Sequence, residues 1–237
     1  MMDGVHLFNK SNSDVRGILF ERQAMQFLVQ GASAFFSNIE NFAVTHSGLV
    51  YVKKSDFRHT KKLKTLALND NEITRIPADA FDELTKLEIL ILSFNRIKSL
   101  PVNLLRSLEV LKILHLNNND IEEINHVSLK YNLCLEVIWF QHNKIHTIVM
   151  KVDGPLPRLR YANYQDNKCI DKKYENISQS MTDVFLDDIR NCSSQCEQKL
   201  LDVAECNENL FELEKEIENL TKEILKIRNV QRSKLII

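Results

Sequence analysis

The chain has 237 residues, 44% hydrophobic and 27% charged, with 31 basic and 32 acidic side chains and a formal net charge of -1. That composition supports a sizeable core, and the near-neutral balance supplies no field to recruit nucleic acid or an anionic membrane. With only 5 glycines and 4 prolines, and no glycine-rich dinucleotide fingerprint or P-loop, the phosphate-cradling loops of nucleotide enzymes are excluded.

Residues 1–14 read as an incomplete N-terminal segment. Met1-Met2-Asp3-Gly4-Val5-His6 lacks the basic start and apolar core of a secretory signal. No run of about 18 apolar residues follows, so no membrane-spanning helix is expected.

From 15 to 168 the dominant signal is an internal repeat. Leu63, Leu87, Leu111, Leu135 and Leu159 recur every 24 residues, each opening the pattern LxxLxLxxNxI. It reads Leu63-Leu66-Leu68-Asn71-Ile73, then Leu87-Leu90-Leu92-Asn95-Ile97, Leu111-Leu114-Leu116-Asn119-Ile121 and Leu135-Ile138-Phe140-Asn143-Ile145. Leu159-Ala162-Tyr164-Asn167-Cys169 is a degenerate last copy. Stepping backwards finds Ile39-Phe42-Val44-Ser47-Leu49 and Val15-Ile18-Phe20-Gln23-Met25, with Ser47 and Gln23 in place of asparagine. The expected fold is an α/β leucine-rich-repeat solenoid. Its short strands form a parallel sheet on the concave face, and its convex side is irregular or shortly helical. No single repeat buries its apolar face alone, so stability comes from stacking neighbours. Asn71, Asn95, Asn119, Asn143 and Asn167 are expected to form a ladder bonding backbone groups otherwise orphaned in the turns. A second apolar set fills the convex side: Ile76, Ala80, Phe81 and Leu84, then Leu100, Leu104, Leu105 and Leu108.

Residues 169–195 read as a C-terminal cap, since a solenoid end exposes its cross-section. Cys169 and Cys192 are expected to bridge there, the alternative being buried free thiols in a reducing compartment. Residues 196–232 read as a helical coiled-coil segment. Val203, Cys206, Leu210, Leu213, Ile217, Leu220, Ile224 and Ile227 alternate by three and four. Homo- or hetero-oligomerisation through 203–227, with Cys196 and Cys206 as interchain cysteines, is one expectation. Folding back onto the solenoid is the other. Sequons at Asn9, Asn176, Asn191 and Asn219, together with the cysteines, point to extracellular glycoprotein chemistry, in which case the sequence lacks its true start.

Ala34-Phe35-Phe36-Ser37-Asn38-Ile39, Ser47-Gly48-Leu49, Asp56-Phe57 and the closing Asn167-Lys168-Cys169-Ile170-Asp171 resemble secreted insect leucine-rich-repeat proteins of midges and mosquitoes. The order of repeats, cysteines and coil is similar to mosquito leucine-rich-repeat immune proteins. That resemblance implies a haemolymph protein that pairs through cysteines and coil and carries a complement-like factor.

Alternation along each strand sends the residues between the leucines to the concave face. Ile89, Ile91, Phe94, Ile113, His115, Val137, Trp139 and Tyr161 then form an apolar and aromatic patch on a wet surface, expected to bind another protein. Cover by the chain's own C-terminal helix or by a self-partner is the alternative. No catalytic residues, cofactor or metal are expected. His142 and His146 lie on a strand-to-turn segment that does not bring them onto one face, and Cys192, Cys196 and Cys206 lack a fourth ligand. The rival functional readings are an assembly protein acting through its coil and an intracellular scaffold.

Overall fold

The computed structural model describes residues 14–28, 36, 38–125, 129, 131–149, 156–177 and 184–192. The chain divides into units Met1–Ser193 and Ser194–Ile237, and every described residue belongs to the first. The coil expected over 203–227, with Cys196, Cys206 and Asn219, and the sequon at Asn9 lie outside the described residues.

In chain order the strands are β1 (Gly17–Glu21), β2 (Asn41–Thr45), β3 (Thr65–Ala67), β4 (Ile89–Ile91), β5 (Ile113–His115), β6 (Glu123–Asn125), β7 (Val137–Trp139), β8 (Thr147–Val149), β9 (Tyr161–Asn163) and β10 (Lys173–Glu175). An eight-stranded sheet runs β1-β2-β3-β4-β5-β7-β9-β10. The pairs from β1 to β9 are parallel, and every register step is the 24-residue repeat, as in Phe42 to Leu66 to Leu90 to Leu114 to Ile138 to Ala162. The sequence dictates this because the central residue of each short strand is apolar while its neighbours vary. Leu66, Leu90, Leu114 and Ile138 are fully buried between half-buried flanks. Behind them Leu68, Leu92, Leu116 and Phe140 fill the interior, and Phe81, Leu84, Leu104, Leu105 and Leu108 close it from the convex side. The fold is a leucine-rich-repeat solenoid of parallel strands.

The turn after each strand is held by asparagine. The Asn95 Oδ1 accepts from the Ile73 N–H at 3.0 Å, and its Nδ2 donates to the carbonyls of Leu68 (2.9 Å) and Leu92 (3.0 Å). Asn119 repeats this with Ile97, Leu92 and Leu116, and Asn143 with Ile121, Leu116 and Phe140. Asn71 reaches the N–H groups of Ser47 and Leu49 and the carbonyl of Val44. Asn167 reaches the Ile145 N–H. Each amide thus ties one repeat to the preceding one through groups that burial would otherwise leave unpaired. The shorter Ser47 accepts from the Gln23 N–H at 3.2 Å and donates to the Thr45 carbonyl within its own turn.

The convex side is irregular, one of the two forms expected for it. Among the described residues of the repeats it carries one 3₁₀ turn, Lys54–Phe57, and otherwise turns. It also has a second parallel ladder at the same 24-residue step. Phe27 bridges Tyr51, Tyr51 bridges Arg75, Ser99 bridges Glu123, and β6 pairs with β8. Repeats of this length have few residues to spare for a helix, and the chain extends again directly after the asparagine turn.

At the C-terminal end β10 reverses and pairs antiparallel with β9. Residues 184–192 are helical. Phe185 packs against Tyr164 (6.2 Å between ring centroids) and edge-on to Tyr174 (5.0 Å), and Ile189 is fully buried. Cys169 and Cys192 are disulfide-bonded, with Cα atoms 5.2 Å apart. The Asp188 carboxylate accepts from the Tyr174 hydroxyl and the Lys172 ammonium, each at 2.6 Å. Half-buried Cys134 is a free thiol.

Candidate functional site: the concave face

Because β3, β4, β5, β7 and β9 expose alternate residues, each position between the leucines becomes a column along the stack. One column reads Gly17, Asn41, Thr65, Ile89, Ile113, Val137, Tyr161, and the next Leu19, Ala43, Ala67, Ile91, His115, Trp139, Asn163. The structure brings Ile89, Ile91, Ile113, His115, Val137, Trp139 and Tyr161 onto one continuous surface. The His115 and Trp139 rings stack at 4.6 Å and 13°. Tyr161 tilts against Trp139 at 5.8 Å, and the Lys173 ammonium lies 5.7 Å from the Tyr161 ring. Stacking hides ring faces, so these side chains are half-buried rather than fully wet as the alternation alone implies. Burial holds the His115 imidazole below its ordinary pKa, favouring the neutral ring. The Trp139 Nε1–H is buried and has no acceptor among the described residues, and the Gln141 Oε1 two residues on is buried without a donor.

Phe94 behaves differently. It lies past β4 in the turn, in a column of left-handed residues: Arg22, His46, Asp70, Phe94, Asn118, His142 and Asp166 all have φ between 50° and 56°. Asn and Asp tolerate that conformation, whereas a bulky side chain does not. Phe94 also leaves 51% of its surface exposed. Its neighbours in the column form polar pairs, His46 with Asp70 (3.6 Å) and His142 with Asp166 (2.9 Å). His146 turns to Thr147 instead of towards His142. Among the described residues no group of three or more His, Cys, Asp or Glu could hold a metal ion.

Two further columns escaped the sequence reading. Directly after each opening leucine stand Arg16, Glu40, Lys64, Glu88, Lys112, Glu136 and Arg160, alternating in sign along one border of the face. Lys64 pairs with Glu40 at 2.7 Å, Arg16 with the same carboxylate at 3.7 Å, and Lys112 with Glu88 at 2.7 Å. Hydrogen bonds from Lys64 and Lys112 hold the Glu40 and Glu88 carboxyls below their ordinary range. The second column reads Thr45, Asn69, Ser93, Asn117, Gln141 and Gln165. Ser93 and Asn117 are buried and bonded to each other at 2.8 Å, while the buried Asn163 accepts from the Gln165 N–H. The same 24-residue step that found the leucines finds both columns when applied to the polar positions.

At the other end of the face small side chains replace large ones. Gly17, Ala43 and Thr65 line a shallow hollow of about 290 Å³ with Ile18, Leu19, Asn41 and Phe42. Of the sequons within the described residues, Asn176 is exposed in the left-handed turn after β10 (φ 51°), and Asn191 is exposed on the helix.

Residues 37–97 match the family model described as leucine rich repeat. A search of curated proteins returns no match. Among solved structures the chain is similar to the mosquito APL1 leucine-rich repeat domain, at 22% identity and a TM-score of 0.60, over 66% of this chain and 40% of that one. It is similar to a chain of the LRIM1/APL1C complex at 22% identity and a TM-score of 0.55, covering 61% of this chain and 27% of that one. The TLR13-ssRNA13 complex matches at 19% identity and a TM-score of 0.54, covering 66% and 26%. The chain therefore spans under half the length of these structures, and the likeness is one of fold.

Proposed function

We propose that this leucine-rich-repeat solenoid is an extracellular protein-binding module, of the insect immune kind in its layout, whose concave face over β4, β5, β7 and β9 takes the partner. The observation that carries the reading is the His115–Trp139–Tyr161 stack beside Ile89, Ile91, Ile113 and Val137. Aromatic and aliphatic side chains half-exposed together mark an interaction surface, and Trp and Tyr dominate binding energies when truncated. Phe94 supports it, because a strained, exposed aromatic persists where function holds it. The alternating charges favour a protein over a polyanion, since phosphates call for unpaired cations in a row. Secretion is supported by the Cys169–Cys192 bond and the exposed sequons. Oligomerisation through 203–227 completes the proposal and rests on the heptad spacing.

The test is Trp139→Ala, measured against the cognate partner and by circular dichroism. The expected result is native secondary structure with binding weakened by about 1–3 kcal/mol. Unchanged affinity would reject the face. Non-reducing electrophoresis of material from the native source tests secretion: free thiols without glycans would support an intracellular scaffold.

A further inference from the structure

Resting on the concave-face reading, we propose that the partner docks through an amphipathic α-helix of about three turns, lying along the stack direction across β4, β5, β7 and β9 and belonging to a different protein. Three properties of the face point to a helix.

The first is spacing. Neighbouring strands lie about 4.8 Å apart, so the apolar stripe repeats its anchors at that interval. A helix presents one turn per 5.4 Å and drifts by only about 2 Å over three steps. An extended segment presents the same face every ~6.7 Å and drifts by nearly 6 Å over three steps, a full strand out of phase.

The second is width. The stripe lies between the charged ladder at Glu88, Lys112, Glu136 and Arg160 and the left-handed turn column, which is polar at Asn118, His142 and Asp166 and aromatic at Phe94. The borders lie six residues apart in each repeat, a three-residue strand followed by the turn, so at most roughly 20 Å separates their backbones. A helix with its side chains is about 10–12 Å across.

The third is hydrogen bonding. The backbone of these strands is paired on both sides, β9 by antiparallel β10 on its outer side, so they offer no edge to an added strand. Two amide oxygens on the face are already engaged, Asn117 accepting from the Ser93 hydroxyl and Asn163 from the Gln165 N–H. With no sheet edge on offer, the face favours a partner that satisfies its own backbone, as a helix does.

The ladder then sets register. Its signs alternate strand by strand, so a helix carrying opposite charges on successive turns matches Glu88, Lys112, Glu136 and Arg160 in one register, and a one-turn slip sets like charges together.

Two displayed peptide libraries separate the outcomes, one of monomeric three-turn helices with a randomised face and one of extended twelve-residue segments, both panned on the full chain. Trp139 is the only tryptophan, so its fluorescence reports occupancy of the stripe. The expected result is enriched helices with apolar residues at i, i+3, i+4 and i+7. They shift Trp139 emission and bind at least tenfold more weakly to Ile113→Glu. Lys112→Glu, an exposed change that leaves the core intact, reverses the charge the winners carry at the turn facing position 112, from acidic to basic. Extended winners that still lose affinity on Ile113→Glu overturn the helix and leave the concave-face reading standing. Winners indifferent to Ile113→Glu, or an unmoved Trp139 signal, overturn both. Failure of the helical library to enrich overturns the helix. Equal binding at this face by a synthetic 203–227 peptide assigns the stripe to the chain's own segment and overturns the foreign partner.

Discussion

The two ends of the concave face share a backbone and differ in what they present. Over β1, β2 and β3 the outward positions are Gly17 and Leu19, Asn41 and Ala43, Thr65 and Ala67. Over β4, β5, β7 and β9 they are Ile89 and Ile91, Ile113 and His115, Val137 and Trp139, Tyr161 and Asn163. Apolar strand interiors run through both ends, fully buried from Val44 onward, and polar side chains hold the turns of both, Ser47 and then the asparagines from Asn71, so the scaffold continues while the surface chemistry changes. Substitutions of the scaffold should therefore cost stability wherever they fall, and substitutions of the columns should cost binding only over the last four parallel strands.

The largest expected effects break the scaffold. Leu66→Ala and Leu114→Ala both empty a fully buried site, one under each end, and each should destabilise by about 2–5 kcal/mol in urea unfolding. A large cost at one end alone would contradict the continuous scaffold. Cys192→Ser opens a disulfide of sequence separation 23 and should cost about 2–4 kcal/mol, felt first as hydrogen exchange in β9 and β10. Asn95→Ser shortens the reach that ties one repeat to the preceding one. It leaves the Leu68 carbonyl or the Ile73 N–H unpaired, with an expected loss of about 1–3 kcal/mol.

Phe94→Asn sharpens the contrast between scaffold and column. It should raise the melting temperature, because asparagine suits a left-handed turn and removes an exposed ring, by about 1 kcal/mol of stability. It should weaken the partner at the same time. A variant both less stable and equally competent would remove Phe94 from the site.

The smallest effects come from pH. His115 has its folded pKa pushed down by burial, so the unfolded chain holds the extra proton. Its contribution is complete above about pH 6.5 and is lost as pH falls towards the lowered folded value. Asp188 is opposed by burial but held below its ordinary pKa by Lys172 and Tyr174, so its part in securing the helix persists above about pH 4 and fades below that. Thermal melts of His115→Gln should lose the first dependence and keep the second.

Much of this was legible in the sequence because a solenoid makes sequence distance into spatial distance. One interval, 24, predicts strand register, buried leucines and turn asparagines alike, and it places Trp139 beside His115 without any folding argument. The charged ladder was equally legible, and reading Arg16, Glu40, Lys64 and Glu88 down one column would have shown it. Other features were not accessible this way. The stacking angle of Trp139 on His115, which turns a wet patch into a half-buried one, depends on rotamers. The reversal at β10 and the Asp188–Tyr174 contact fall after the repeat ends, where no period constrains them. The left-handed column containing Phe94 follows from turn geometry, and only its Asp and Asn members hint at it.

The most direct test places a photo-crosslinking amino acid at Ile113 in one sample and at Thr65 in another, each in the full chain mixed with extract from its native source. The expected outcome is a discrete heterologous adduct from position 113, lost on Trp139→Ala, with none from position 65. Equal adducts from both positions, or adducts at 113 that survive Trp139→Ala, would contradict a binding face confined to β4, β5, β7 and β9.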